Sequence, residues 1–376
     1  MRKLGMKQIS IIVSVAVFTI LIIAVIIILN ATRNNAPVDV LKEKTRIGLI
    51  VSGPVDDNSW NRTHYDALVN ISDELNLDVV YRENVVADEK CIDVIRSLVT
   101  DENCLVVIGA SLEYGDVMMQ AANEFPERFF LHSMGTEYRK NLGSFFGRMY
   151  QYRYLSGIVA GLHTKSNSIG YIASYRISDV NRDINAFTLG VRSVAPDAVV
   201  HVEFTDSWTD DAKAAASAEK MVTGYGADVL AMHTNSLAPL DTAQKYGIWA
   251  VGCNYDNSDK YPDIYLTGCV WKWENYYRDQ ILSCLQGKFR GEHSWLGIES
   301  GIMDLVDPEK THKTPDGCAE AVNAAKERFE SCSYDVFYGP VADNEGRIRI
   351  GEGESMSDDN MLNYFDWYVE GVDIVS

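Results

Sequence analysis

The sequence predicts an α/β fold of two doubly wound, parallel-sheet lobes that share one ligand cleft. From Arg46 onwards, short runs of Val, Ile and Leu bounded by glycine and polar residues alternate with amphipathic segments. Such runs are typical of strands that are buried on both faces of a parallel sheet, joined by helices. The alternation occurs as two successive series of similar size, and 376 residues are enough for two cores.

The first element is an apolar segment at residues 9–29, which contains 21 residues and no charge. A helix of this length spans ~30 Å, the thickness of the bilayer hydrocarbon. Basic residues precede it, so the positive-inside rule places the N-terminus in the cytoplasm and the rest of the chain outside. A secretory signal peptide has a shorter apolar region and a small-residue cleavage site, of which this chain has only a poor version. We therefore expect an uncleaved transmembrane anchor at 1–33 in the cell membrane, and a polar linker at 34–45.

The remaining chain, 46–376, is expected to be one bilobal binding domain. The first series of strands is expected at 46–53, 78–84, 104–111 and 128–135, and the second, after a helix at 152–165, at 168–174, 199–206, 228–234, 248–254 and 264–271. We expect lobe 1 to comprise about 46–160 plus about 272–330, and lobe 2 to comprise about 161–271 plus the C-terminal segment. In open sheets of this kind, ligands bind outside the carboxyl ends of the strands.

The residues that follow the strands are rich in aromatic and small polar side chains. Trp60 lies at the start of the helix after the first strand, and Trp208 occupies a similar strand-to-helix turn in the second series. The other strand-end candidates for ligand binding are Asp57, Asn61, Tyr114, His233, Asn254, Asp256 and Trp271. A cleft lined in this way suits a flat, largely neutral ring, which stacking stabilises by roughly 1–3 kcal/mol per face. Packing of the lobe edges is the alternative interpretation for each tryptophan alone.

Charge and motifs exclude several classes of function. The chain has 53 acidic and 34 basic side chains, a net charge of −19, which argues against nucleic-acid binding and favours a neutral or cationic ligand. It contains no phosphate loop, no GxGxxG after the first strand, no GxSxG elbow and no HExxH. Acidic pairs occur at helix starts, where the helix dipole is sufficient to explain them. We therefore expect no catalytic residues, no cofactor and no metal site.

The cysteines leave two interpretations open. Seven cysteines lie outside the apolar segment, with no CxxC pair and no zinc-ligand spacing. Cys91 and Cys104, and likewise Cys318 and Cys332, are close enough in sequence for local disulfides in an oxidising compartment. Buried free thiols are the other interpretation, and the odd number leaves at least one thiol unpaired.

Five segments together resemble the basic membrane protein (BMP) family of solute-binding proteins. They are SGPVDDNSWNRTHYDAL, VNRDINAFTLGVRSVAPDA, FTDSWTDDAKAAASAEKMV, GADVLAMHTNSLAPLDTAQKYGIWAVGCNYD and DWYVEGV. The resemblance covers about Arg46–Val372. It implies the type I periplasmic-binding fold and the extracytoplasmic receptor of an ABC importer, with permease and ATPase subunits as partners. It also implies a purine ligand, either a nucleoside or a free base.

The resemblance further implies roles for individual residues. Two aromatic residues sandwich the base in nucleoside-binding members, and their positions match Trp60 and Trp208. Asn61 matches the asparagine that follows the first aromatic residue, and Asp256 matches the acid of the GxDxD turn. This chain has Asn254 where that motif often begins with Asp.

Two departures from the family pattern refine the expectation. Nucleoside binders tend to have Lys at the end of the sixth strand, whereas Trp271 here fills volume where a sugar would lie. We therefore expect a free purine such as adenine or hypoxanthine, with Asp256 or Asn61 pairing with ring nitrogens. The chain also has no cysteine positioned for a lipid anchor, and a transmembrane anchor would serve the same purpose.

Three functions are compatible with the sequence. The leading one is a monomeric receptor whose lobes close on the purine and deliver it to a permease. The alternative is a membrane-tethered purine sensor that signals to a partner protein. The third is an exported enzyme such as a nucleoside hydrolase, for which the acidic pair Asp56–Asp57 is thin support.

Overall fold

The computed structural model describes residues 43–331 and 334–375. The expected membrane anchor and Cys332 lie outside these residues. In the part of the chain that is described, no helix is both long enough and apolar enough to span a bilayer. The chain from Arg46 onwards forms one compact unit, and the account below concerns that unit.

Strands and helices alternate through most of this unit. The strands are β1 (Thr45–Ile50), β2 (Leu77–Arg82), β3 (Val106–Gly109), β4 (Phe129–Ser133), β5 (Leu142–Gly147), β6 (Ser168–Ala173), β7 (Val199–Phe204), β8 (Val229–His233), β9 (Trp249–Asn254), β10 (Tyr265–Trp271), β11 (His293–Leu296), β12 (Met303–Leu305), β13 (Val341–Ala342), β14 (Ile348–Ile350) and β15 (Val372–Ile374). The α-helices are α1 (Trp60–Ser72), α2 (Cys91–Thr100), α3 (Gly115–Glu124), α4 (Met149–His163), α5 (Ser178–Val194), α6 (Asp211–Tyr225), α7 (Ala238–Tyr246), α8 (Glu274–Leu285), α9 (Cys318–Glu330) and α10 (Asp358–Asn363).

The strands form two large sheets, one in each lobe. The first sheet has the order β11-β5-β4-β3-β1-β2, and the second has the order β12-β10-β9-β8-β6-β7-β15. In the second sheet β12 is antiparallel to β10, whereas all the other neighbouring strands, from β10 across to β15, run parallel to each other. Strands such as β3 and β8 are buried along their whole length, as their continuous apolar runs predict. The predicted two-lobed α/β fold is therefore confirmed.

The structure differs from the sequence-based expectation in the boundaries of the lobes. Helix α4, expected in lobe 1 as far as residue 160, packs against α5 and against β10 and β12 of the second sheet. Of the segment expected in lobe 1 at 272–330, α8 packs on α1 and β11 pairs with β5 of the first sheet, whereas β12 joins the second sheet and α9 packs on α4. Strand β5, which the sequence pattern did not indicate, lies in the first sheet. Periodicity identifies an element but does not determine which sheet covers its apolar face.

Helices α4 and α5 approach each other unusually closely. A β-carbon added at Gly157 of α4 would lie 2.1 Å from the carbonyl oxygen of Phe187, and one added at Gly190 of α5 would lie 2.0 Å from that of Tyr154. Only glycine permits such backbone contact. The two helices thus form a tight pair whose N-terminal turns lie beside the second sheet, at the cleft.

The described cysteines are thiols rather than disulfides. Cys91 and Cys104 are both free and buried, as are the four other cysteines in the described part of the chain: Cys253, Cys269, Cys284 and Cys318. The interpretation as buried free thiols holds for these six residues. Cys332, the other expected partner of Cys318, lies outside the described residues.

Candidate functional site

A cavity lies between the two sheets, at the carboxyl ends of their strands. Its volume is about 800 Å³, with the solvent at its mouth included. Five of the nine ligand-binding residues expected from sequence line it: Trp60, Trp208, His233, Asn254 and Trp271. The cavity walls therefore come from both lobes. More than half of the residues that were expected at strand ends line this cavity.

Asp57 and Asn61 lie beside the cavity and hold its first-lobe wall in place. The Asp57 carboxylate accepts hydrogen bonds from the backbone N–H groups of Ser59 (2.9 Å), Asn61 (3.1 Å) and Arg62 (3.0 Å). The side-chain amide of Asn61 donates to the same carboxylate at 2.9 Å. These bonds satisfy orphan donors at the start of α1, where Trp60 is the first residue. Neither residue lines the cavity, so both act on Trp60 through the backbone.

Tyr114 and Asp256 also lie away from the cavity. Tyr114 is fully buried, and its hydroxyl donates to the carbonyl oxygen of Val85 at 2.7 Å. Asp256 accepts a hydrogen bond from Lys310 at 3.0 Å and lines a separate polar groove. Both side chains therefore have structural partners that the sequence pattern did not reveal.

Trp60 presents a fixed indole to the cavity. Its Nε1 donates to the carbonyl oxygen of Ala110 at 2.8 Å, and only 9% of the side chain is exposed. Its ring meets that of Trp271 edge to face, with centroids 5.7 Å apart and planes at 85°. The hydrogen bond and the ring contact together fix which part of the indole faces the cavity.

Trp208 is half-buried and lines the cavity on the second-lobe side. It lies in the turn between β7 and α6, where the Ser207 hydroxyl accepts hydrogen bonds from the backbone N–H groups of Thr209 (3.2 Å) and Asp210 (3.1 Å). Its ring contacts that of His233, with centroids 5.8 Å apart. The turn is thus held by its own side chains, and Trp208 keeps one part of its indole open to the cavity.

Behind Trp271 lies a stack of three rings. Trp271 and Trp273 are nearly parallel, with centroids 4.2 Å apart and planes at 11°, and His64 stacks on the far side of Trp273 at 5.0 Å. His64 is fully buried, which lowers its pKa to about 3 and leaves the ring neutral. Its Nδ1 lies 2.5 Å from the hydroxyl of Tyr277. The two rings behind Trp271 pack against it and hold its indole in place.

A polar network joins the lobes at the edge of the cavity. The Ser59 hydroxyl donates to Oδ1 of Asn235 at 3.2 Å and accepts from Nδ2 of Asn254 at 3.3 Å. The side-chain oxygen of Asn254 accepts from Nε1 of Trp271 at 3.1 Å. Asn254 has φ = 65°, a left-handed conformation that asparagine tolerates better than most residues. One residue thus connects the cross-lobe contact to the aromatic wall.

A buried charged cluster that the sequence reasoning missed lies under the cavity. Asp183 on α5 accepts a hydrogen bond from Nε of Arg153 on α4 at 3.2 Å, and both side chains are essentially inaccessible. Asp179 is paired with Arg182, and His233 lies 3.8 Å from the Asp183 carboxylate. Asp179 and Asp183 line the cavity. These acids follow β6, so the rule that ligands bind beyond the carboxyl ends of strands could have indicated them.

The cluster perturbs the titration of its members. Burial, and next the charge of Asp179, raise the pKa of Asp183 to about 7 in spite of the guanidinium groups of Arg153 and Arg182. Burial is also the main cause that lowers the pKa of His233 well below its usual value, with the two arginines adding to the effect. His233 is therefore neutral at physiological pH, and the pKa of Asp183 is raised towards that range by burial beside Asp179.

The chain is similar to known proteins in sequence and in fold. A family model described as "ABC transporter substrate-binding protein PnrA-like" matches residues 44–328. A purine-binding protein from Brucella abortus is 30% identical over 88% of this chain and 94% of its own length. A putative ABC transporter glucose-binding protein from Haloferax volcanii is 28% identical over 85% of this chain and 78% of its own length. Among solved structures, an ABC transporter solute-binding protein from Conexibacter woesei superimposes with a TM-score of 0.67 at 18% identity, covering 77% of this chain and 98% of that protein.

Proposed function

The chain belongs to the Bmp family of PnrA-like ABC transporter substrate-binding proteins, and we propose that its ligand is a purine, bound as the free base rather than as the nucleoside. A substrate-binding protein of this kind is the extracytoplasmic receptor of an ABC importer, with a small-molecule ligand and permease and ATPase subunits as partners. It is a receptor and not an enzyme.

The observation that carries the purine proposal is the position of two indoles. Trp60 from the first lobe and Trp208 from the second line the same cavity. A flat heteroaromatic ring that enters between the lobes meets an aromatic surface on each side, and closure of the lobes brings both surfaces to it. A ligand that contacts both lobes stabilises the arrangement in which they approach each other, since it binds that arrangement better than the open one.

The preference for a base over a nucleoside rests on Trp271. The side chain lines the cavity, is only 6% exposed, and is backed by the Trp273–His64 stack. Its hydrogen bond to Asn254 also keeps it from rotating away. A rigid indole at this place excludes a ribose and offers no polar group for sugar hydroxyls beyond the N–H that Asn254 already occupies.

The relatives support the purine and supply one alternative to test. The Brucella abortus relative is named as purine-binding, whereas the Haloferax volcanii relative is named as putatively glucose-binding. Apolar and aromatic side chains such as Leu112, Met134, Phe146, Met149 and Ile177 make up much of the remaining lining. A wall of this kind suits a heteroaromatic ring better than a sugar, which needs many hydrogen-bonding partners.

The location of the receptor is part of the same proposal. The segment at 9–29 is the proposed anchor that keeps the binding domain at the outer face of the cell membrane, near the permease. We expect the binding domain to act as a monomer, with closure of its two lobes as the signal that the permease recognises.

Calorimetric titration of the purified full-length chain in detergent tests the ligand. Adenine, hypoxanthine, adenosine, guanosine and glucose form the panel. A free purine base is expected to bind more tightly than either nucleoside, and glucose is expected to give no binding heat. Absence of heat with every purine would overturn the proposal, and binding of glucose alone would replace it with sugar transport.

A further inference from the structure

We propose that Asp183 is the residue that determines which purine is bound, by accepting a hydrogen bond from the exocyclic amino group of the base, so that an aminopurine such as adenine is preferred to an oxopurine. This inference rests on the proposed function, because it assigns the recognition of the base within the same cavity.

One carboxylate oxygen of Asp183 is available to a ligand as a hydrogen-bond acceptor. The residue lines the cavity although it is only 1% exposed. Its Oδ2 accepts the hydrogen bond from Nε of Arg153, whereas Oδ1 has no hydrogen-bond partner among the described residues. A buried carboxylate oxygen without a donor is energetically costly, and the cost is recovered when a ligand supplies the donor. An N–H group of a bound base would be such a donor.

The lining of the cavity carries acidic side chains. Three acidic side chains line it, Glu113, Asp179 and Asp183, whereas no Lys or Arg is among the described lining residues. Arg153 and Arg182 balance two of these acids from behind the wall and do not reach the cavity. A ligand carbonyl directed at this surface faces acceptors, and an anionic oxopurine is repelled by it, whereas an amino group is attracted.

The Asp183 carboxylate is held in a fixed position by its partner Arg153. Arg153 is held by hydrogen bonds to the carbonyl oxygen of Met232 (3.0 Å) and to Sγ of Cys253 (2.7 Å). The close glycine contacts between α4 and α5 fix the helices that carry Arg153 and Asp183. Asp183 therefore cannot turn Oδ1 towards a protein donor without losing Arg153. A fixed acceptor of this kind discriminates between ligands more sharply than a mobile one.

The substitution Asp183→Asn reverses the polarity of this position without a change in shape. Arg153 still requires an acceptor, so the amide oxygen is expected to turn to Arg153 and the amide NH₂ to the cavity. The cavity then gains a donor where it had an acceptor. We expect adenine affinity to fall by roughly 10- to 100-fold, as for the loss of a hydrogen bond to a charged group. Hypoxanthine affinity is expected to fall much less, so that the preference between the two bases narrows or reverses.

Ligand analogues test the same contact on the wild-type chain. Unsubstituted purine lacks the amino group of adenine, and 9-methyladenine lacks the imidazole N–H. Unsubstituted purine is expected to bind wild-type protein about tenfold or more weakly than adenine, and this gap is expected to shrink in Asp183→Asn. A loss confined to 9-methyladenine would place the contact at the imidazole N–H, which oxopurines share, and would overturn the inference. The matched control is Asp343→Asn, because Asp343 is equally buried and paired with Arg347 but lies outside the cavity.

The outcomes separate this inference from the proposed function. If no purine base binds to the wild-type chain, the proposed function fails first. If adenine binds, and Asp183→Asn keeps both its affinity within about threefold and the order of the bases, the inference is wrong. Thermal unfolding shows whether each variant is folded. Should Asp183→Asn not fold, equal affinity of the wild-type chain for adenine and unsubstituted purine would still overturn the inference.

Discussion

The hydroxyl of Ser59 in the first lobe donates a hydrogen bond to the side-chain oxygen of Asn235 in the second lobe, with the two atoms 3.2 Å apart. The same hydroxyl accepts a hydrogen bond from Asn254. Both asparagines line the cavity, and Ser59 directly precedes Trp60. The contact between the lobes is therefore made at the ligand site itself, by neutral groups that can separate and re-form.

Loss of this contact is expected to weaken ligand binding. Ser59→Ala removes the bridging hydroxyl, so that the approach of the lobes is stabilised less and the ligand must supply more of the free energy. A net value of about 0.5–1.5 kcal/mol for a neutral hydrogen bond corresponds to roughly a 2- to 10-fold loss of affinity. Calorimetric titration with the bound purine measures it. Ser72→Ala, at the other end of α1, is the matched control, and equal affinities of the two variants would refute the role of Ser59.

Trp208 offers the cleaner test of the aromatic sandwich. Trp60 packs against Phe146, Trp271 and Trp273, so its removal would also disturb the core, whereas Trp208 is only half-buried. Trp208→Ala is expected to weaken purine binding by about 10- to 100-fold, the loss of one stacked face, while the melting temperature changes little.

The control for the sandwich is Trp249→Ala. Trp249 is a similarly half-buried tryptophan that contacts His163 and His312 and does not line the cavity. Its loss is expected to leave purine affinity unchanged. Unaltered binding by Trp208→Ala would contradict the sandwich, as would an equal loss in both variants.

Sequence reasoning located the features that depend on local pattern. The strand expected at 199–206 is observed at Val199–Phe204, and that expected at 248–254 is observed at Trp249–Asn254. Trp60 and Trp208 followed from the rule that ligands bind at the carboxyl ends of strands, and both line the cavity. Buried strands and strand-end positions are encoded by neighbouring residues, which is why they can be read from one sequence.

Features that depend on long-range packing were not predicted. The partner of Asp183 is Arg153, 30 positions earlier in the chain, and the two meet only because α4 and α5 pack at their glycines. Asp57 and Asn61 are a different case, because their side chains make local hydrogen bonds at the start of α1. The strand-end position of Asp57 was compatible both with a ligand contact and with capping of this helix, and the structure shows the capping. Which of several polar side chains is already satisfied by the protein is a property of the packed structure.

Trp271 is expected to control the exclusion of the ribose. Trp271→Leu opens space at the wall while it keeps an apolar side chain, so adenosine affinity is expected to rise relative to adenine by about tenfold. Titration with both ligands gives the ratio. Trp249→Leu is the control, because Trp249 neither lines the cavity nor belongs to the stack behind Trp271. An unchanged ratio of adenosine to adenine affinity in Trp271→Leu would show that Trp271 does not exclude the ribose.

The described cysteines are expected to be unreactive in the folded protein. Burial raises the pKa of Cys91 to about 11 and that of Cys104 to about 12, so neither forms much thiolate near neutral pH. Treatment with iodoacetamide at pH 8, followed by peptide mass spectrometry, should leave both unlabelled until denaturant is added. Labelling in the native state, or a disulfide-linked peptide that joins Cys91 to Cys104, would contradict the structure.

Ligand affinity is expected to rise with pH through the neutral range. Asp183 has a pKa raised to about 7, so below that value its carboxyl is mainly protonated in the ligand-free protein. A bound N–H donor favours the ionised form, and binding therefore releases a proton below pH 7. Affinity should increase by up to about tenfold per pH unit up to pH 7 and level off above it. The groups that face Asp183 are Asp179 and Arg182 on its own helix, Arg153 on α4, Tyr171 on β6, His233 on β8 and Cys253 on β9.

The pH profile originates in the buried acids Asp183 and Asp179. The pKa of His233 is lowered well below its usual value, whereas those of Tyr171 and Cys253 are raised, so these three groups keep their charge state near neutral pH. Burial also raises the pKa of Asp179, and the two carboxyl groups titrate as an interacting pair. Calorimetry in buffers of different ionisation enthalpy measures the proton released on binding, and titration across this range measures the affinity. In Asp183→Asn both effects should disappear. A pH dependence that persists in this variant would assign the titration to another group, and affinity that falls as pH rises would mean that Asp183 binds the ligand in its protonated form.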